Sequence, residues 1–331
     1  MLAAYVEKLG PPDEIRFGEL PDPVPGPTDV LVDVMAATVN PVDTFVRSGI
    51  FSTPLPFPYV LGRDAVGTVA AAGAGTPGFR AGDRVWCNSL GHEGRQGAAA
   101  QRVAVPVDRL YHLPDGVDPA DAVTTAHPAA TAHLALFAHG RLRPGETVVV
   151  TGAAGNVGSA LVVMAVEAGA RVIATASAHD AEYCASLGAA GTLDYRDPAL
   201  TERIGELAPR GVDLHIDTHG GHDLAGAVEL LAPRGRIVML AGVRSRPVLP
   251  AGPFFMKDAS IHGFVISHAT TAELARAAVD INRLLAAKLL RPRRTETLPL
   301  SAAAQAHRRM ENGELHGRRL VLRPDLTTTD V

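Results

Sequence analysis

The chain is 331 residues long, 47% hydrophobic and 20% charged, with a formal net charge of −4. That length accommodates two domains, each with its own core, and the composition is that of a soluble globular protein. The lack of a basic surplus argues against nucleic acid as a partner, and no apolar run approaches the roughly eighteen residues of a membrane span.

The N-terminal stretch MLAAYVEKLGPPDE has no basic region followed by an apolar block and cleavage site, so no secretory leader is expected. Cys87 and Cys184 are the only cysteines, too few for a disulfide framework. A cytoplasmic location is the expectation. Residues 1–118 read as short strands, at 30–34, 66–72, 83–87 and 102–105, separated by turns such as PDPVPGPTD and GAGTPGFRAGD. That pattern suits an antiparallel barrel or sandwich.

From residue 118 the texture changes to alternating helix and strand. Residues 120–139 read as helix, which Pro128 must kink or interrupt. The β-branched run at 147–150 suits a strand buried on both faces. Leu161, Val162, Met164, Ala165 and Ala168 then fall at helical spacing, with Gly169 placed to end the helix, and 171–175 reads as a second strand. Helices follow at 181–187, 199–207 and 224–231, the last ended by PRG. Strands follow at 192–195, 214–218, 236–240 and 260–264. Six strands with helices between them make an α/β, doubly wound parallel sheet. A further amphipathic helix spans 271–287, and a strand at 319–322 returns to the first domain, before a polar tail at 327–331.

Between the strand at 147–150 and its helix lies a turn of Gly152, Ala153, Ala154, Gly155, Asn156, Val157 and Gly158. Strand, glycine turn, helix and strand in about thirty residues is the βαβ unit of a dinucleotide site. Gly155 would let the backbone approach a pyrophosphate, and Gly158 would let the helix pack on its strand. The helix N-terminus offers N–H groups and a positive dipole end to phosphates. The first glycine of G-x-G-x-x-G is Ala153 here, and a strand-to-helix turn with no ligand is the alternative reading.

The whole pattern resembles the zinc-free quinone oxidoreductase group of the medium-chain dehydrogenase/reductase superfamily. The matching stretches are VNPVDTFVRSG at 39–49, LGRDAVGTV at 61–69, GFRAGDRV at 78–85, GRQGAAAQ at 94–101, TGAAGNVGSA at 151–160 and GRRLVLRP at 317–324. The resemblance implies a GroES-like β-barrel catalytic domain at 1–118, rejoined by 266–331, and a Rossmann dinucleotide-binding domain at 119–265. It implies an NAD(P)H-dependent reductase that passes hydride to a quinone or to the β-carbon of an enone. A dedicated enoyl or ketone reductase of secondary metabolism, and a catalytically weak NADPH-binding protein of crystallin-like or sensor type, remain open. Zinc-dependent relatives carry Cys where Asn40 stands and Gly-His-Glu where this chain has Gly62-Arg63-Asp64. A protonated guanidinium cannot ligate zinc, so no metal is expected. Gly91-His92-Glu93 spells the zinc motif in a loop with only Cys87 near it, short of a zinc ligand set.

The resemblance places Asn40 and Thr131 beside the nicotinamide, although Asn40 also suits a turn before Pro41 and Thr131 a solvent-facing helix position. Asp43, Arg63 and Asp64 read as a buried ion cluster under that turn. The resemblance lets Gly242, Phe264, Val265 and Ile266 wall the nicotinamide end, and adds Arg319 to the cofactor residues. Tyrosines of relatives are replaced by Phe45 and Phe51, so the proton would come from water, His127 or His92; a structural histidine is the alternative for each. Phe45, Phe51, Tyr59 and Trp86 would form an aromatic pocket for a planar substrate, or else barrel core. At the adenosine end, Ala176 stands where NAD enzymes hold an acid, and Ser177 and Tyr195 match residues that contact a 2′-phosphate. NADPH is therefore expected, with NADH open because Asp180 replaces the usual lysine and would repel a phosphate. The resemblance implies a homodimer, with the strand at 260–264 as the candidate edge for pairing.

Overall fold

The computed structural model describes residues 1–325; the polar tail at 327–331 lies outside the described residues. The chain divides into two compact units, Met1–His127 with Thr270–Val331, and Pro128–Ala269.

The first unit opens with β1 (Leu2–Val6), β2 (Arg16–Glu19), β3 (Asp29–Thr38), α1 (Pro41–Ser48), β4 (Tyr59–Val60), β5 (Ala65–Ala72), β6 (Arg84–Cys87), β7 (Arg102–Pro106) and β8 (Leu110–His112). Strand β3 is its spine. Its register is antiparallel to both β5 and β7, and Val30, Val32 and Val34 alternate inward onto Val69, Val85, Val103 and Val105. Burying each such side chain contributes about 1.5–3 kcal/mol. The sequence places this strand at 30–34; it runs on to Thr38, because β5 supplies partners for Ala36 and Ala37. Gly67 on β5 is required there, since a Cβ would lie 2.1 Å from the Asp33 carbonyl oxygen.

Helix α2 (Pro119–His133) follows and continues as a π-helical turn, Leu134–His139. Pro128 lies inside α2 without interrupting it, so the expected break is absent, and the change of helical pitch comes six residues later. The second unit then alternates β9 (Thr147–Thr151), α3 (Asn156–Glu167), β10 (Arg171–Ala176), α4 (Ala181–Ser186), β11 (Gly191–Asp194), α5 (Leu200–Leu207), β12 (Val212–Asp217), α6 (Leu224–Leu230), β13 (Leu231–Met239), α7 (Ala251–Phe255) and β14 (Ser260–Gly263). The six strands form one parallel sheet in the order β11-β10-β9-β12-β13-β14. Val148, Val149 and Val150 are fully buried at its centre. Such an order binds ligands beyond the carboxyl ends of the strands, where the winding reverses; here that is between β9 and β12. The PRG segment, read from sequence as the stop of a helix, lies within β13 instead. Arg234 takes φ +63° and the pairing with β12 shifts register there, so a bulge absorbs the turn-like residues.

The chain returns to the first unit through α8 (Thr271–Ala286), β15 (Thr295–Pro299), α9 (Ala303–Glu311) and β16 (Arg319–Arg323). A capping box of Thr270 and Glu273 starts α8, worth about 1 kcal/mol. Strand β16 pairs antiparallel with the end of β3 at Ala37 and Thr38, and parallel with β15. The sheet of the first unit thus reads β15-β16-β3-β5-β6-β8 with β7 also on β3, beside a three-stranded sheet β2-β1-β4.

Candidate active site

The glycine turn has the geometry of a phosphate cradle. Gly152 takes φ +76°, and its N–H and that of Ala153 donate to the Thr175 carbonyl, tying the turn to β10. Gly155 precedes α3 with no side chain capping the helix, which leaves first-turn N–H groups for an anion. Gly155 and Asn156 are exposed, Ala154 and Val157 half-buried, and Ala153 buried. A Cβ on Gly158 would lie 2.2 Å from the Gly152 carbonyl oxygen and 2.7 Å from the Ala153 Cα, so only glycine lets α3 approach β9 this closely. These features fit a dinucleotide pyrophosphate.

At the neighbouring strand ends, Ala176 pairs with Asp194, and the Tyr195 N–H donates to the Ala176 carbonyl. Ser177 Oγ donates to Asp180 Oδ2 at 2.7 Å. Asp180 is buried, Ser177 half-buried, and Tyr195 exposed. The Arg196 guanidinium lies 4.5 Å from the centre of the Tyr195 ring.

In the first unit, α1 begins at Asn40. Its backbone N–H donates to Asp43 Oδ2 at 2.7 Å, and Pro41 fills the first helical position. The carboxamide is held at both ends: Nδ2 donates to Asp64 Oδ2 at 2.7 Å, and Oδ1 accepts from Arg319 Nη2 at 2.8 Å. His127 Nδ1 stands 3.5 Å from the other oxygen of Asp64. Arg63 Nε is 4.0 Å from Asp43 Oδ1, and the guanidinium lies 5.9 Å from the centre of the Phe51 ring. All five charged or histidine side chains are buried. Burial, reinforced by the Asp64 carboxylate, raises Asp43 to about 6, and burial lowers Arg319 to about 10. Asp43, Arg63 and Asp64 thus form the buried cluster the sequence suggests, completed by Arg319 and His127. Arg319, grouped from sequence with the cofactor residues, is buried and bonded to Asn40.

The remaining expected residues separate. Thr131 is buried on α2. Gly242 takes φ +77° and lies against Gly220. The Phe264 ring stacks on His139 at 4.5 Å, Val265 is exposed and Ile266 buried. Tyr59 and Trp86 are barrel core: Tyr59 Oη donates to the Gly91 carbonyl at 2.8 Å, and Trp86 Nε1 donates to Asn282 Oδ1 at 2.9 Å. Phe45 borders an open groove with Pro41, Thr44, Ile50 and Met310, and Phe51 packs against the barrel core. His92 is engaged by Arg95, Nη2 to Nδ1 at 3.1 Å, and among the described residues no three His, Cys, Asp or Glu side chains group as a metal site.

Sequence reasoning missed one polar assembly in the second unit. The Asp217 carboxylate accepts from the N–H groups of His219, Gly220 and His222, and the buried His222 ring joins it, Nδ1 3.1 Å from Oδ2 and Nε2 2.7 Å from the Ala241 carbonyl oxygen. An Asp at a strand end followed by glycines is the available signal, since such side chains satisfy turn N–H groups.

Known proteins share this arrangement. Residues 26–115 match the family described as alcohol dehydrogenase GroES-like domain, and residues 156–280 the one described as zinc-binding dehydrogenase. Quinone oxidoreductase of Mus musculus is 30% identical over 318 residues, 95% of each chain, and that of Sus scrofa 30% over 312, 93% of each. Among solved structures, a mycobacterial quinone oxidoreductase superposes with a TM-score of 0.85 at 29% identity, covering 98% of this chain and 100% of its own. A mycobacterial protein complexed with NADPH gives 0.82 at 28%, with the same coverage. The chain belongs to the zinc-free quinone oxidoreductase group of the medium-chain dehydrogenase/reductase superfamily. It has the GroES-like and Rossmann domains of that superfamily, and is an oxidoreductase with a nicotinamide-dinucleotide-binding fold. No described helix is long and apolar enough to cross a membrane.

Proposed function

We propose that this protein reduces a quinone or an α,β-unsaturated carbonyl with NAD(P)H and no catalytic metal. The carrying observation is the pair of hydrogen bonds that runs from Arg319 through Asn40 to Asp64, with the His127 ring 3.5 Å from the other Asp64 oxygen. When bound, the nicotinamide supplies the hydride to the substrate. The chain's part is to hold the dinucleotide at Gly152–Gly158, to orient His127 and to deliver a proton. Asn40 and Arg319 fix the Asp64 carboxylate, Asp64 lies against the His127 ring, and His127 gives its proton to the substrate oxygen or α-carbon. Phe45 and Phe51 offer no hydroxyl for that role. A guanidinium at Arg63 has no lone pair for zinc, which supports the metal-free reading.

The test follows loss of reduced-nicotinamide absorbance with 9,10-phenanthrenequinone, 1,4-benzoquinone and simple 2-enones, with and without a zinc chelator. The expected result is turnover that the chelator does not change, with His127→Ala lowering kcat by about 10²-fold at neutral pH. Tight nucleotide binding without turnover of any acceptor would instead support the binding-protein alternative. The dimer belongs to the same reading, because β14 ends the six-stranded sheet and an open strand edge invites pairing. Light scattering that gives a monomer mass at micromolar protein would remove it.

A further inference from the structure

We infer that Asp180, acting through Ser177, makes the adenosine end of the site select a free ribose 2′-hydroxyl, so that NADH binds more tightly than NADPH. The inference rests on the dinucleotide reading above. Ser177 directly follows β10, the second strand of the βαβ unit, where the adenosine ribose lies in such folds. A serine hydroxyl has one hydrogen. Here that hydrogen is directed to Asp180 Oδ2 at 2.7 Å, so the half-buried Ser177 presents oxygen lone pairs outward. A ribose hydroxyl can donate to those lone pairs. A dianionic 2′-phosphate has only acceptors and would meet lone pairs backed by a carboxylate.

The charges around this edge favour the same outcome. Asp180 is buried, so water and salt screen its charge little. Asp194 ends the paired strand β11 and adds a second carboxylate. The Arg196 guanidinium at this edge is exposed and stacked on the Tyr195 ring, and an exposed charge contributes little. His179, also exposed, adds at most one further charge. The sequence expectation of NADPH rested on the missing acid at Ala176 and on Ser177 and Tyr195 matching residues that contact a 2′-phosphate; the hydrogen bond to Asp180 commits the Ser177 hydrogen elsewhere.

The experiment measures Kd for NADH and NADPH by titrating the full chain and following nucleotide fluorescence, with Asp180→Asn and Ser177→Ala beside the wild type. We expect the wild type to bind NADH at least about tenfold more tightly. Asp180→Asn should bring the two constants within about threefold, chiefly by improving NADPH. Ser177→Ala should weaken NADH severalfold and narrow the ratio, an independent check should Asp180→Asn fold poorly. Wild-type binding of NADPH as tight as that of NADH, or a ratio unchanged in Asp180→Asn, would overturn the inference while leaving the dinucleotide reading intact. Failure of both nucleotides to bind would overturn the two together.

Discussion

Arg319 and Asn40 lie 279 positions apart in sequence, yet Nη2 of one donates to Oδ1 of the other at 2.8 Å inside the first unit. With Nδ2 bonded to Asp64, the carboxamide cannot flip without setting donor against donor and acceptor against acceptor. Asn40→Ala leaves a buried guanidinium and a buried carboxylate each short of a partner. It should cost about 3 kcal/mol, read from urea unfolding. Thr38→Val is the control. It removes the 3.4 Å contact to Arg319 and the Thr38 bond to the Leu320 carbonyl, and should cost about 1 kcal/mol.

Asp43 should leave a mark on stability against pH. Its carboxyl is raised to about 6 by burial and by Asp64, from an ordinary value of 3.8. The neutral form is therefore the one folding prefers, and the associated stability is present at low pH and lost as pH rises through 4 to 6. The loss amounts to roughly 3 kcal/mol, at about 1.4 kcal/mol per unit. Relative to Asp43→Asn, the wild type should lose stability as pH rises across that window and run parallel to the variant above it. Parallel curves throughout would mean that Asp43 titrates as it does in the unfolded chain.

Gly158→Ala places a methyl group 2.2 Å from the Gly152 carbonyl oxygen. Helix α3 must then lift from β9, a rearrangement of the overpacking kind that costs about 1–3 kcal/mol. The melting temperature should fall, and nucleotide affinity should fall about tenfold or more, because the turn moves with the helix. Retained affinity would show that the turn tolerates the displacement.

Trp86 is the only tryptophan, and it is buried in the first unit with Nε1 bonded to Asn282. Asn282 Nδ2 in turn donates to the His112 carbonyl, so one side chain of α8 joins β6 and β8. Intrinsic fluorescence should therefore report unfolding of the first unit alone, while far-ultraviolet dichroism reports both. Trp86→Phe strands the Asn282 oxygen and should cost about 1–3 kcal/mol.

The second unit was legible because its signals are local. Thr147–Thr151, the glycine turn and α3 each carry their own period, and the helix ends at Ala168 with Gly169 at φ +79° beyond it. Reading failed where pairing overrode local propensity. Ala36 and Ala37 are weak strand formers, yet they extend β3 through partners on β5 and β16. Pro233, Arg234 and Gly235 look like punctuation, and a bulge carries them inside β13. In the site, Asp43, Arg63 and Asp64 were legible as a buried cluster under the turn at Asn40, because all of them lie in two short motifs at 39–49 and 61–69. The contacts of Asn40 with Arg319 and of Asp64 with His127 cross most of the chain or a domain's length, and nothing local announces them. Asp180 was seen only as a repelling charge; the serine hydrogen that it captures needed coordinates.

The first unit is assembled from both ends of the chain, with β16 laid against β3. During synthesis this has a consequence of timing. The nucleotide-binding unit is one continuous segment, Pro128–Ala269, and can fold while the ribosome still holds the residues from Thr270 onward. The N-terminal strands must wait unclosed until Arg319 emerges to fasten the Asn40 carboxamide. A chain cut short before Arg319 keeps the whole continuous segment Pro128–Ala269 and loses the guanidinium that holds the Asn40 carboxamide.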